Sequence, residues 1–246
     1  MQNRTLFYGE GIFETILWRG RSSKLLRHYK RLKNSADFFK IPCPDYEEFC
    51  QKIEKKTKGK KNLYVKFCLF SKGESAYYQY PQKSESVVVV KKLQNSYEAQ
   101  KICLSSIKRH SNNVVIYHKT MNYLPNILAK REALIKGFDD GIFLNENEQI
   151  TECTSSNLLI VKNDKLLTPA RDSGLLLGTT MEILIDKMNV KEEYIKIDDL
   201  YKASCLFITN SIVEVIPVAQ FMNVKYPLDV DILQTIKKTI QEENPF

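Results

Sequence analysis

Several features that would place a protein in a specialised class are missing from this chain of 246 residues. Its six cysteines are widely spaced and include no Cys-x-x-Cys pair, so the sequence predicts reduced thiols and no metal site. The apolar runs at 87–90 and 205–208 are far too short to cross a bilayer. Because no secretory leader pattern is seen either, we expect a soluble cytoplasmic protein without a membrane partner.

Charge narrows the choice of ligand. The chain has 37 basic and 29 acidic residues, a net charge of +8, which favours the capture of a small anionic substrate. It has no helix-turn-helix pattern and no basic stretch interleaved with aromatic residues. We therefore expect no nucleic-acid partner.

The first half of the chain predicts a small α/β domain. Strand patterns and amphipathic helix patterns follow one another there, with a polar loop at 71–84. The predicted strands are 11–18, 63–70, 87–91 and 102–107, and the predicted helices are 26–39 and 46–56. A polar connector begins at Lys108, so we expect domains at 1–107 and 108–246.

The second half predicts a larger domain of helices and antiparallel strands. A helix covers 122–136, a run of short strands covers 141–168, and a last strand begins at 205. Between them, the corner Gly178-Thr179-Thr180 leads into a helix, where backbone N–H groups would suit a phosphate. Such a corner is also an ordinary helix start, so by itself it does not decide the ligand.

Six sequence blocks give the chain a family resemblance. They include Tyr8-Gly-Glu-Gly-Ile-Phe-Glu-Thr15, Lys119-Thr-Met-Asn122 and Thr151-Glu-Cys-Thr-Ser-Ser-Asn157, and the others lie at 28–36, 174–180 and 208–218. In this order the blocks resemble those of class IV, or fold-type IV, pyridoxal phosphate enzymes. The resemblance covers nearly the whole chain and implies a two-domain α/β (α+β) fold that binds pyridoxal 5'-phosphate.

The resemblance also implies roles for individual residues. Lys119 is similar to the lysine that forms the Schiff base, and Glu152 to the carboxylate that pairs with the pyridine nitrogen. Ligands of the cofactor phosphate are implied at Arg31, Thr179, Thr180 and Ser211, and a tyrosine that faces the cofactor's phenolic oxygen is implied at Tyr123. Taken singly, each would pass for a surface, strand or turn residue. Their joint order is what supports the assignment.

One position separates the activities known in this family. Thr15 stands where branched-chain aminotransferases have glycine, whereas aminodeoxychorismate lyases resemble this chain in having threonine. A hydroxyl there could pass a proton to a leaving enolpyruvyl group. The resemblance therefore favours a lyase that converts 4-amino-4-deoxychorismate to 4-aminobenzoate and pyruvate, in the synthesis of a folate precursor.

The substrate of such a lyase is a dianion, so cations should contact its carboxylates. The sequence offers Lys66, Lys72, Lys108 and Arg109 for this purpose, where the lyases have arginines. Lysine presents a point charge without the two-pronged geometry of arginine, so this set of cations is a departure from the family. The resemblance also implies a homodimer.

Two other hypotheses stay open. An aminotransferase acting on branched-chain or D-amino acids would keep the same cofactor residues and would consume an amino acceptor. A catalytically silent protein could keep the fold for binding alone. Retention of Lys119, Glu152 and Arg31 argues against the silent form.

Overall fold

The computed structural model describes residues 3–74, 76–93 and 98–243. They form two compact units: residues up to 93 pack with the segment His118–Asn122, and residues 98–117 pack with 123–243. The mixed α/β class expected from the sequence is confirmed, with seven α-helices and twelve strands in the described part of the chain. The predicted boundary between residues 107 and 108 remains a prediction about independently folding domains.

The first unit contains the elements α1 (Arg4–Tyr8), β1 (Gly11–Trp18), α2 (Ser23–Phe39), α3 (Tyr46–Thr57), β2 (Leu63–Lys72) and β3 (Lys83–Lys92). Its three strands form an antiparallel sheet in the order β1-β2-β3. Helix α2 begins where the Ser22 side chain accepts a hydrogen bond from the Leu25 amide, and it ends at Lys40, whose φ is 56°. Leucines at 25 and 32 on α2 are buried in the same core as Ile12 and Ile16 of β1.

The second unit contains a nine-stranded mixed sheet. The strands are β4 (Gln100–Leu104), β5 (Asp140–Leu144), β6 (Ile150–Cys153), β7 (Asn157–Lys162), β8 (Lys165–Pro169), β9 (Lys191–Glu193), β10 (Cys205–Asn210), β11 (Glu214–Phe221) and β12 (Val224–Lys225). Its main path runs β6-β5-β4-β11-β10-β7-β8-β9, and β12 pairs with β11. Strands β5, β7 and β10 are buried along almost their whole length, which explains their nearly continuous apolar sequences.

Alternation along β7 and β10 directs side chains into two separate cores. Leu158 and Ile208 belong to one core, whereas Leu159 and Phe207 belong to the other, together with buried residues of two helices. The helices of this unit are α4 (Leu124–Ile135), α5 (Thr179–Met188), α6 (Ile197–Tyr201) and α7 (Val230–Glu242). This arrangement fixes α5 against β10.

Two features of the second sheet differ from the prediction. The strand predicted at 102–107 as part of the first domain is β4, which pairs in parallel with β5 and β11 of the second sheet. The strands over 141–168 do not form one antiparallel run either, because β6 lies at the sheet edge while β7 pairs with β8 and β10. Local sequence patterns predict where strands occur, but they do not predict which distant strands pair with each other.

All six cysteines are free thiols, and five of them are buried. Burial raises the pKa of Cys205 to about 11 and that of Cys153 far above the ordinary thiol range. Within the described residues, no helix combines the length and apolar character needed to span a bilayer. The same residues contain no cluster of histidine, cysteine and carboxylate side chains suited to a metal.

Candidate active site

The segment that contains Lys119 is attached by its backbone to the outer edge of β1. The Phe13 amide donates to the Lys119 carbonyl at 2.8 Å, and the Met121 amide donates to the Gly11 carbonyl at 2.8 Å. Ile12 and Thr120 form an antiparallel bridge between these two bonds. Lys119 therefore has a fixed backbone position on the first sheet, although it lies far from that sheet in sequence.

Two lysines share one aromatic ring on this sheet. The Lys119 Nζ lies 4.8 Å from the centre of the Phe13 ring, and the Lys66 Nζ lies 4.1 Å from the same centre. Thr15 lies opposite Lys66 in the β1–β2 register, and it is on the same face of β1 as Phe13 because side chains alternate along a strand. One face thus contains two cations and a hydroxyl, a combination suited to an anion.

Arg31 extends from α2 towards a buried carboxylate on β1. Its Nε donates to Glu14 Oε1 at 2.8 Å and its Nη2 donates to Glu14 Oε2 at 2.7 Å, a two-pronged ion pair. His28 Nδ1 lies 2.7 Å from Glu14 Oε2. Burial opposes the charge on Glu14, but Arg31 and His28 outweigh it and lower the carboxyl pKa to about 2.

Glu152 lies on β6 in the second unit, where its contacts include Arg109 and the Leu176 amide. The Arg109 Nη1 is 2.8 Å from Glu152 Oε1, and the Leu176 amide donates to the same oxygen at 3.3 Å. Arg109 also lies over the Phe143 ring, 4.3 Å from its centre, and its own amide donates to the Leu144 carbonyl. The ion pair compensates the cost of burying either charge alone.

Leu176 connects Glu152 to the start of α5. Its carbonyl accepts a hydrogen bond from Asn157 Nδ2 at 2.9 Å, and Asn157 Oδ1 accepts from the Gly178 amide at 2.8 Å. Gly178 is the N-cap of α5 and has no side chain to cap the first turn. A Cβ at this position would lie 2.2 Å from Asn157 Oδ1, so only glycine allows the close approach. Thr179 and Thr180 begin the helix and are buried.

The start of α5 lies near a buried hydroxyl, that of Thr209. Thr209 lies opposite Asn157 in the β7–β10 register, so its side chain is on the side of the sheet where Asn157 contacts Gly178. The Thr209 hydroxyl is buried, and no described residue forms a hydrogen bond with it. A buried hydroxyl of this kind and an uncapped helix start offer donors for an anion. The residues present therefore fit a phosphate.

Ser211 and Tyr123 lie in the same unit. Ser211 follows β10 in a turn that Asn210 fixes, because the Asn210 side chain accepts from the Ile212 and Val213 amides. The Tyr123 hydroxyl donates to the Thr154 carbonyl at 3.2 Å, and Asn126 Nδ2 donates to the same carbonyl at 2.7 Å. Tyr123 is thus anchored at Thr154, one residue beyond the end of β6 and two residues after Glu152.

The expected substrate cations have different surroundings. Lys72 forms an ion pair with Glu85, and Lys108 forms one with Glu148. Arg109 is paired with Glu152, whereas Lys66 contacts the Phe13 ring that Lys119 also contacts. A role of these four residues in binding substrate remains a prediction.

Sequence reasoning missed four residues that shape these sites: Glu14, His28, Asn157 and Thr209. A signal existed for Glu14, because it is a carboxylate between Ile12 and Ile16 on the strand face that packs against α2. His28 lies three residues before Arg31, the spacing that places two side chains on one face of a helix. Asn157 and Thr209 gave no signal, because their contacts depend on the pairing of β7 with β10.

Comparison with known proteins decides the family. The model of the family Amino-transferase class IV matches residues 11–221 of the chain. The protein belongs to this class IV family. It is therefore an enzyme of a pyridoxal phosphate family, and the cofactor expected from the sequence is confirmed.

Individual relatives differ in their named activities. A Methanocaldococcus jannaschii protein, provisionally named a branched-chain-amino-acid aminotransferase, is 29% identical over 228 residues, which is 87% of this chain and 79% of that protein. D-alanine aminotransferase from Listeria monocytogenes is 38% identical over 112 residues, 44% of this chain and 38% of that enzyme.

Among solved structures, a Legionella pneumophila protein provisionally named 4-amino-4-deoxychorismate lyase has a TM-score of 0.88 at 27% identity, over 98% of this chain and 93% of that one. The branched-chain aminotransferase of Thermoproteus uzoniensis has a TM-score of 0.87 at 24% identity, over 98% and 87% of the two chains, which shows a common fold.

Proposed function

We propose that this enzyme is a 4-amino-4-deoxychorismate lyase that forms 4-aminobenzoate and pyruvate. The observation that carries the proposal is the placement of the Thr15 hydroxyl opposite Lys66, on the face of β1 where Lys119 contacts Phe13. Elimination needs a proton donor for the leaving group as well as a base, and this face of β1 carries the threonine together with the phenylalanine ring that two lysine amines contact. The likeness to the Legionella protein supports the same activity.

The proposed roles follow the chemistry of each residue. Pyridoxal phosphate, when bound, supplies an electron sink for the bond that is broken. Lys119 holds the cofactor and moves the proton at the amine-bearing carbon, and Thr15 gives a proton to the departing enolpyruvyl group. Glu152 would keep the ring nitrogen protonated, and Tyr123 would face the phenolic oxygen. We propose Arg31, Thr179, Thr180 and Ser211 as the phosphate ligands.

The substrate's two carboxylates need cations, and Lys66 has the best position for one of them. It lies 4.1 Å from the ring centre of Phe13, the ring that Lys119 also contacts. Lys72 and Lys108 lie further along the chain in surface ion pairs, so we assign them a smaller effect on substrate affinity. We also retain the predictions of a homodimer and a cytoplasmic location.

Product analysis tests the proposal. The purified enzyme with pyridoxal phosphate is incubated with 4-amino-4-deoxychorismate, without any keto acid. Release of 4-aminobenzoate and pyruvate in equal amounts supports the lyase. A Thr15→Val variant should lose most of this activity, and Thr15→Ser should recover it, because serine restores the hydroxyl. Formation of product only when an amino acceptor is added would contradict the proposal.

The second candidate is a class IV aminotransferase for branched-chain or D-amino acids. It is favoured by the named activities of the sequence relatives from Methanocaldococcus and Listeria. Incubation with L-leucine or D-alanine and 2-oxoglutarate tests it, with glutamate as the measured product. Turnover that exceeds the lyase rate would make the aminotransferase the better assignment.

A further inference from the structure

Glu14 is a charged residue in an apolar layer. It lies on the face of β1 that packs against α2, between Ile12 and Ile16, and none of its surface is exposed. A buried ion pair rarely adds stability beyond what an apolar pair of the same size would give. The carboxylate therefore needs an explanation other than the stability of the first unit.

The geometry of its partner supplies that explanation. Glu14 accepts from Nε and Nη2 of Arg31, so both oxygens of the carboxylate lie along one edge of the planar guanidinium. This arrangement fixes the plane and the rotation of the guanidinium together, which a single hydrogen bond would not do. The other N–H donors of Arg31 then point away from Glu14 in a defined direction.

His28 holds the carboxylate from a second side. Its Nδ1 is 2.7 Å from Glu14 Oε2, the oxygen that also accepts from Arg31 Nη2. Because an ionised carboxylate can only accept, His28 donates through Nδ1–H. Burial lowers the pKa of His28, although its contact with Glu14 opposes that shift. Arg31 is then the positive partner of Glu14, and His28 is an orienting donor.

We propose that Glu14, oriented by His28, is the positioning residue that sets the guanidinium of Arg31 for the phosphate of the cofactor. The proposal rests on the proposed role of Arg31 as a phosphate ligand. It predicts that Glu14 affects the recognition of the phosphate group and has little effect on the recognition of the pyridine ring. Pyridoxal has the same ring without the phosphate and serves as the matched probe.

The experiment measures the dissociation constants of pyridoxal phosphate and of pyridoxal for the full-length, cofactor-free enzyme. In wild type the phosphate ester should bind far more tightly than pyridoxal. Glu14→Gln keeps the shape of the side chain and removes the charge and one acceptor. It should weaken binding of pyridoxal phosphate about tenfold, while the pyridoxal constant changes less than about twofold. The phosphorus resonance of bound pyridoxal phosphate should also shift.

A matched control is available in the same unit. Glu47 accepts from Nη1 and Nη2 of Arg21, a two-pronged pair that is exposed and involves no proposed site residue. Glu47→Gln should leave both dissociation constants and the phosphorus resonance unchanged. A difference between the two variants then reports on the position of Glu14, not on the loss of an arginine–glutamate pair in general.

The outcomes separate this inference from the proposed function. If Arg31→Gln leaves the preference for the phosphate ester intact, Arg31 is not a phosphate ligand and both ideas fall. If Arg31→Gln abolishes the preference and Glu14→Gln does not reduce it, only the positioning role is overturned. Equal weakening of both ligands by Glu14→Gln would also overturn it, because a purely structural defect has that signature.

A second variant covers the case in which Glu14→Gln does not fold. Glu14→Asp keeps the negative charge on a side chain that is one methylene shorter, so the first unit should still fold. The preference for pyridoxal phosphate over pyridoxal should fall about threefold or more if Glu14 positions Arg31, because the guanidinium can no longer donate to both carboxylate oxygens. An unchanged preference overturns the positioning role.

Discussion

Arg109 Nη1 lies 2.8 Å from Glu152 Oε1, and each side chain keeps only about a tenth of its surface exposed. The pair joins a residue that was expected to bind substrate to the carboxylate expected to hold the cofactor ring. Because the pair is largely buried, removing either charge would leave the other unpaired and would lower the stability of the enzyme. The main contact of Arg109 is therefore with Glu152, whose charge it neutralises.

Removing this arginine should destabilise the enzyme. Arg109→Met leaves Glu152 as a buried carboxylate without its cation, so we expect the free energy of unfolding to fall by about 3 kcal/mol. Urea unfolding followed by circular dichroism measures the loss. Arg171→Met is the control, because Arg171 pairs with Glu192 at the surface and should cost less than about 1 kcal/mol. Equal losses would contradict the buried character of the Arg109 pair.

Removing the Thr209 hydroxyl should raise the stability of the cofactor-free enzyme and weaken the binding of pyridoxal phosphate. It is buried without a partner among the described residues, so Thr209→Val should stabilise the cofactor-free enzyme by about 1 kcal/mol. Addition of pyridoxal phosphate should then raise the Tm of the variant less than that of wild type. Thr168→Val is the control, because Thr168 donates to the Leu158 carbonyl at 2.8 Å and its loss should destabilise.

If Thr209→Val instead lowers the Tm of the cofactor-free enzyme, the hydroxyl has a protein partner and its proposed place near the phosphate loses support. An unchanged response to pyridoxal phosphate would leave the start of α5 as the phosphate site without Thr209.

The stability of the enzyme should depend on pH in a way that reflects the ionisation of Glu14. Its pKa is lowered from 4.5 to about 2 in the folded enzyme, so its ionised form contributes stability above the unfolded pKa. The stability difference between wild type and Glu14→Gln should therefore shrink as pH falls from about 4.5 towards about 2. Urea unfolding at a series of pH values measures this difference.

Asp140→Asn provides a control of opposite sign. Burial raises the pKa of Asp140 in the folded enzyme, because it disfavours the ionised form. Wild type should gain stability relative to this variant as pH falls through the folded pKa towards 3.8, the ordinary value for the group. The same sign of pH dependence for both variants would contradict the assignment of charge to Glu14.

Helix α4 offers a surface for the predicted homodimer. Leu124, Ile127, Leu128, Leu134 and Ile135 are all at least 37% exposed, and Ile135 is 87% exposed. An apolar face of this kind is uncommon on a monomer, and a second copy of the chain is the partner that the predicted homodimer supplies. We expect Leu128→Glu to convert the dimer to a monomer in analytical ultracentrifugation. A dimer that persists in this variant would exclude this face as the contact.

Leu228→Glu is the matched control for that measurement. Leu228 is 54% exposed and lies outside α4, so the same substitution there should leave the mass unchanged. Dissociation by both variants would indicate a general effect of the added charge.

The fold was predictable where local patterns were strong. The strand Gly11–Trp18 and the helix that begins at Tyr46 match the predicted bounds closely. Helix α7 was not predicted, although Ile232, Ile236 and Ile240 have the spacing of a helix face; it lies outside the six family blocks. The position of β4 could not be predicted, because parallel pairing joins segments that are distant in sequence.

The site residues stay predictions, and the order of the sequence blocks along the chain is what supports them. Lys119, Glu152 and the corner at Thr179 followed from blocks that resemble a family. The pairing of Arg109 with Glu152 did not follow, because it requires the pairing of β5 with β6. The contact of Glu14 with Arg31 likewise depends on how α2 packs against β1, which no local pattern specifies.

The central claim is that Lys119 is the lysine that holds the cofactor. Borohydride reduction of the enzyme loaded with pyridoxal phosphate, followed by peptide mass spectrometry, tests it most directly. We expect one pyridoxyl phosphate group per chain on the peptide that contains Lys119, and none after Lys119→Ala. Stoichiometric labelling of Lys66 or of any other lysine in the wild-type enzyme would contradict it.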